Sequence, residues 1–144
     1  MMDSILIVCE GNICRSPMAE AMLRQAVPGR RVASAGLNAL VGMPASPYAQ
    51  EVMRMRGLDV LTHRAQQIGR CLCADADLIL VMARGQRLSL ESRFPFVRGR
   101  VFRLGEHTDF DVHDPYRQPR FVFERCARLI ELGVSEWSRR LRIV

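Results

Sequence analysis

Cys9 and Arg15 stand six positions apart in the stretch ILIVCEGNICRSP, residues 5–17, and their types suit a thiolate nucleophile beside a phosphate clamp. Between them lie Glu10, Gly11, Asn12, Ile13 and Cys14, and Ser16-Pro17 follows directly. A loop that joins a strand to a helix N-terminus presents backbone N–H groups and a positive dipole end to an anion. Gly11 and Asn12 tolerate left-handed backbone angles, so the loop is expected to curl until its amides point inward. Arg15 adds a planar, two-pronged donor for phosphate oxygens. Such a cradle needs no sulfur, so Cys9 decides between binding and catalysis. Beside a helix N-terminus and an arginine the thiol is expected to ionise near neutral pH and to attack the phosphorus of a bound phosphate. Of the five cysteines, at 9, 14, 71, 73 and 126, only Cys9 has an arginine six positions on. The plain alternative is a buried structural cysteine at a strand end.

Displacing a phenol from phosphorus also needs a proton, because a phenolate with a reference pKa of about 10 leaves poorly. Asp114, in the stretch HDPYR at 113–117, is the candidate donor, and Pro115 should hold its carboxyl in a rigid turn. Alone, Asp-Pro is an ordinary turn signal. Its pairing with the cysteine loop gives it weight.

These groups need a scaffold. Residues 4–9 read as a buried strand, and apolar Met18, Met22, Leu23 and Ala26 mark one face of a helix that Ser16 should cap and Pro17 should open. Residues 31–35, 76–82 and 99–104 read as further strands. Helices are predicted from Ser46-Pro47 to a stop at Gly57, over 84–93, and over 119–142, where Cys126, Ile130, Gly133, Trp137 and Leu141 recur at helical spacing. Unbroken apolar strands that alternate with helices predict an α/β fold: one three-layer domain over 1–144, with a four-stranded parallel sheet, helices on both faces and the anion loop after the first strand. Such sheets bind ligands at the carboxyl ends of their strands, which is where CEGNICRS falls.

Composition narrows the function. An odd set of cysteines with no signal peptide in view predicts reduced thiols in a cytoplasm, and no run is long enough to span a membrane. The formal charge of +6 suits an anionic ligand, but the arginines are scattered and not interleaved with aromatic residues, which argues against nucleic acid. His63, His107, His113 and the Cys71/Cys73 pair show no metal-ligand spacing. No cofactor is implied.

With CEGNICRSPMAEA at one end and DPYR towards the other, the chain resembles the low-molecular-weight protein tyrosine phosphatases over essentially its whole length. The stretches SAGLNALVG (34–42) and DPYRQPR further resemble the bacterial branch that dephosphorylates membrane tyrosine autokinases of exopolysaccharide and capsule export. The resemblance implies that Cys9 is the nucleophile, that Arg15 clamps phosphate with the loop 10–16, and that Asp114 is first acid and then base. It also implies that Ser16 stabilises the thiolate, that Asn12, Ser34 and His63 form a supporting network, and that Leu40 and Tyr116 wall the substrate cleft. Cys14 matches a cysteine that in many members forms a reversible disulfide with the nucleophile, with a small apolar filler as the alternative. The partner implied is a phosphotyrosyl protein, the tail of such an autokinase; the oligomeric state stays open.

Two departures stand out. Where many members have a second tyrosine after DPY, Arg117 places a cation at the cleft mouth, and Ala83 stands where an acidic residue often follows the third strand. Support for Arg15 must then come from elsewhere or be absent. Two rival functions remain. A thioredoxin-coupled arsenate reductase of the same fold would need two further relay cysteines, for which Cys71 and Cys73 are spaced too closely. A non-catalytic anion-binding module would keep its function in Cys9→Ser.

Overall fold

The structure, a computed structural model, describes residues 2–143, so the ends of the expected span 1–144 lie outside the described residues. Four strands, β1 (Ser4–Cys9), β2 (Arg31–Gly36), β3 (Leu78–Val81) and β4 (Val101–Arg103), form one parallel sheet in the order β2-β1-β3-β4. β1 lies in the interior, paired with β2 on one side and β3 on the other. That position explains its unbroken apolar run, since side chains on both of its faces are buried. Burying one such side chain fully is worth about 1.5–3 kcal/mol, so polar substitution anywhere along Ile5–Val8 is costly.

Five helices cover the sheet: α1 (Arg15–Ala26), α2 (Pro47–Arg54), α3 (Arg70–Asp75), α4 (Arg84–Arg93) and α5 (Arg120–Ile143). Helices α1, α2 and α5 bury Met18, Met53 and Ile130 in one apolar layer, and α3 and α4 bury Cys73 and Leu90 in the other. Gly133 lets α5 come close to the segment after β4: a Cβ there would lie 2.6 Å from Leu104 Cγ and 2.9 Å from its carbonyl oxygen. Among the described residues no helix is long and apolar enough to cross a membrane.

The chain turns to β2 on one side of β1 and later to β3 on the other, so the sheet reverses direction beside the carboxyl end of β1. The cysteine loop emerges there. The predicted cap of α1 is corrected: the helix begins at Arg15, with Cys14 in the cap position and no side-chain cap, so Pro17 is its third residue. The Ser16 hydroxyl is engaged elsewhere.

Candidate active site

The loop between Cys9 and α1 is held from outside by its carbonyls. Leu37 N–H donates to the Cys9 carbonyl at 2.9 Å, Asn38 N–H to Glu10 at 2.9 Å, Leu40 N–H to Gly11 at 3.1 Å and Ser46 N–H to Ile13 at 2.8 Å. His63 Nε2 lies 2.7 Å from the Asn12 carbonyl oxygen, which can only accept, so this imidazole nitrogen carries a proton. The amides of the loop do the opposite. Among the described residues, none of the backbone N–H groups of residues 10–16 donates to a protein acceptor. With every carbonyl turned outward, the amides are left to line an anion cradle.

The curl comes from Asn12 alone, at φ 61°, while Gly11 stays outside the left-handed region, contrary to the expectation for that glycine. Four hydrogen bonds fix Asn12 there: His63 at its carbonyl, Gln66 N–H to its Oδ1 at 2.9 Å, and its Nδ2 donating to Ser16 Oγ at 2.7 Å and Ser34 Oγ at 2.9 Å. Gly36, at the end of β2, allows the strap 37–40 to close on the loop, since a Cβ there would meet the Glu10 carbonyl oxygen at 2.7 Å.

The direction of the hydrogen bonds follows. Ser34 Oγ donates to the Glu20 carboxylate at 2.5 Å and accepts from Asn12, whose other amide hydrogen goes to Ser16. The one hydrogen of Ser16 then remains for Cys9 Sγ, 2.9 Å away. Cys9 Sγ is thus the acceptor of this bond. Ser16 and Asn12 are wholly buried, so these bonds have no competition from water.

Arg15 is buried, and its Nη1 donates to the Val112 carbonyl at 2.9 Å. Val112 N–H in turn donates to Met82, just past β3, so the support that no carboxylate at Ala83 can give comes from a backbone carbonyl. Among the described residues, Nε of Arg15 has no protein acceptor although it is buried, which leaves it as a donor for an oxyanion. Its Nη2 lies 3.6 Å from Asp114 Oδ2. The other Asp114 oxygen accepts from Tyr116 N–H at 3.1 Å, and Gln118 N–H closes the next turn on Pro115 at 2.9 Å. The Asp-Pro turn therefore does hold the carboxyl, as expected. Arg103, bridged to Asp109 at 2.5 Å and Asp111 at 3.0 Å, ties down the segment that carries Val112 and Asp114.

Cys9, Gly11, Ile13, Arg15 and Asp114 line a cavity of about 160 Å³, together with the exposed Leu40 and Tyr116 and with Glu10 and Cys14. Arg117 does not line this cavity. It stands just outside, with its guanidinium 5.2 Å from the centre of the Tyr116 ring. Burial pushes the Cys14 thiol up to about 12, and Cys126 likewise, so both are neutral thiols at physiological pH. Cys71 is exposed and Cys73 is buried in the layer of α3 and α4, whereas Cys9 borders the layer of α1, α2 and α5. Among the described residues, no group of three or more His, Cys, Asp or Glu side chains could hold a metal ion.

Glu20, Gln66 and Val112 are the supporting groups that the sequence reading missed. Glu20 looks like any solvated helix charge until the fold brings Ser34 beside it, and the other two act through backbone atoms that no residue type announces.

A sequence profile described as "Low molecular weight phosphotyrosine protein phosphatase" matches residues 4–143. A Ralstonia solanacearum protein, "Probable low molecular weight protein-tyrosine-phosphatase EpsP", is 52% identical over 142 residues, 99% of this chain and 98% of its own length. The structure of Vibrio vulnificus Wzb in complex with benzylphosphonate superposes with a TM-score of 0.95 at 38% identity, covering 97% of this chain and 99% of that one. The YwlE arginine phosphatase from Geobacillus stearothermophilus is also similar, with a TM-score of 0.91 at 34% identity, covering 96% of this chain and 92% of that one.

Proposed function

This chain belongs to the low molecular weight phosphotyrosine protein phosphatase family, and from that premise we propose that it hydrolyses phosphotyrosine in proteins through a cysteinyl-phosphate intermediate. The observation that carries the reading is the one-sided loop, with its carbonyls bonded outward, its amides of residues 10–16 unbonded, and a hydrogen-bond-accepting sulfur among them. The amides and Arg15 hold three phosphate oxygens and stabilise the charge that builds on them in the transition state. The Cys9 thiolate attacks phosphorus, and the departing phenolic oxygen takes the proton of Asp114. Water then attacks the phosphorus of the thiophosphate, Asp114 accepts its proton, and the Cys9 thiolate leaves. All of this chemistry comes from side chains and amides, so a chelator should leave activity intact.

Leu40, Ile13 and Tyr116 make the walls of the cavity apolar, which suits a phenyl ring better than the guanidinium of phosphoarginine. The benzylphosphonate complex of the Vibrio relative supports the same choice. The arsenate-reductase reading loses its relay, because Cys73 lies in the other apolar layer. The partner we propose is a phosphotyrosyl tail of a membrane tyrosine autokinase in exopolysaccharide or capsule export, met in the cytoplasm; it rests on the resemblance of SAGLNALVG and DPYRQPR to that branch.

The test is phosphate release by the reduced full chain, with chelator present, from one peptide carrying phosphotyrosine and a matched one carrying phosphoarginine. Turnover of the first by at least about tenfold over the second is expected, the scale on which an apolar pocket discriminates. Preference for phosphoarginine would overturn the substrate assignment.

A further inference from the structure

Tyr116, which lines the catalytic cavity, also lines a second groove of about 680 Å³. Tyr48 and Tyr116, each 41% exposed, line it together with buried Phe123, whose ring is edge-on to Tyr48 at 5.5 Å. Exposed aromatic faces of this kind serve recognition better than folding, since they leave apolar area in water. Arg117 stands on the rim at φ 63°, in the third position of the turn that Gln118 N–H closes on Pro115. Glycine takes that position without strain, and an arginine held there costs backbone energy. The guanidinium lies over the Tyr116 ring and makes no ion pair among the described residues. The rim therefore carries a cation whose charge no carboxylate among the described residues answers.

We propose that this groove holds the stretch of substrate chain next to the phosphotyrosine, with a substrate carboxylate on Arg117 and an aromatic side chain between Tyr48 and Tyr116. The proposal rests on the phosphotyrosine reading above. With Tyr116 as a wall of both, a chain whose phosphotyrosine fills the catalytic cavity passes beside this groove, so the occupant is part of the same polypeptide, and Arg117, the one charged residue of its lining, selects an acidic one.

The experiment measures kcat/KM on phosphotyrosine peptides flanked, on one side or the other, by an acidic residue and an aromatic one, or by glycine and serine. Each value is divided by that of the same protein for p-nitrophenyl phosphate. A preference of about tenfold for the acidic, aromatic flank is expected of the native chain, reduced several-fold in Tyr48→Ala. Arg117→Gly should lose the acidic preference while its melting temperature rises, because the turn is relieved. Equal normalised values for all peptides would overturn the groove and leave the phosphatase reading standing. Failure to hydrolyse p-nitrophenyl phosphate or any phosphotyrosine peptide would overturn that reading and the groove with it.

Discussion

The Ser16 hydroxyl stands 2.9 Å from the Cys9 sulfur, its one acceptor among the described residues, and itself accepts from Asn12 Nδ2. One chain of hydrogen bonds thus runs from the Glu20 carboxylate through Ser34, Asn12 and Ser16 to Cys9. A carboxylate can only accept, so Ser34 must donate to it and turn its lone pairs to Asn12.

Ser16→Ala removes the last link of that chain. A buried hydrogen bond to a charged group is worth about 1.5–3 kcal/mol, so the thiolate should be harder to form and turnover should fall by roughly 10- to 100-fold at neutral pH. Rates of Ser16→Ala and the native chain on one aryl phosphate check this, and an unchanged rate would show that the Ser16 hydroxyl does not act on Cys9.

Asp114→Asn tests the acid. With phenolic leaving groups near pKa 10 the rate should fall by about 10² or more, and with strongly activated phenols by much less, because they leave without a proton. Rates measured on a series of aryl phosphates check this. An equal loss across the series would remove Asp114 from proton transfer.

Arg56 joins the end of α2 to α5 through Glu124 at 2.7 Å and Glu131 at 3.1 Å. The hydrogen bond from Arg56 holds the Glu124 carboxyl below its ordinary value of 4.5. The unfolded chain therefore binds the proton first as pH falls. The stability from this pair is fully present above about pH 4.5 and is lost on going down through the lowered folded-state value. Glu124 is partly exposed, so the contribution is at most about 1 kcal/mol. Denaturant melts from pH 6 to 3 should show a shallower acid loss in Glu124→Gln than in the native chain.

Much of the fold is legible in the sequence because burial leaves a mark on composition. Val8 and its neighbours in β1 are apolar on both faces because the strand is interior, and the α5 stripe recurs at Cys126, Ile130 and Trp137 because one face of that helix meets the sheet layer. Cys9, Arg15 and Asp114 stand out in the sequence by residue type, and the fold brings the three to one cavity. The start of α1 was misread for the reason that makes the site work: Ser16 is a good cap by type, but its hydroxyl is committed to Cys9 and Asn12. Glu20 and the Val112 carbonyl stayed hidden because their roles depend on contacts with Ser34 and Arg15 that only the folded chain creates.

Passage of a phosphoryl group through the sulfur of Cys9 is open to direct measurement. Rapid acid quench of the reduced protein during turnover of a phosphotyrosine peptide, followed by mass analysis of the fragment that contains Cys9, measures this directly. One phosphoryl group on Cys9 is expected in the native chain, and none in Cys9→Ser. Full turnover with phosphate release by Cys9→Ser, and no phosphorylated fragment from the native chain, would contradict it.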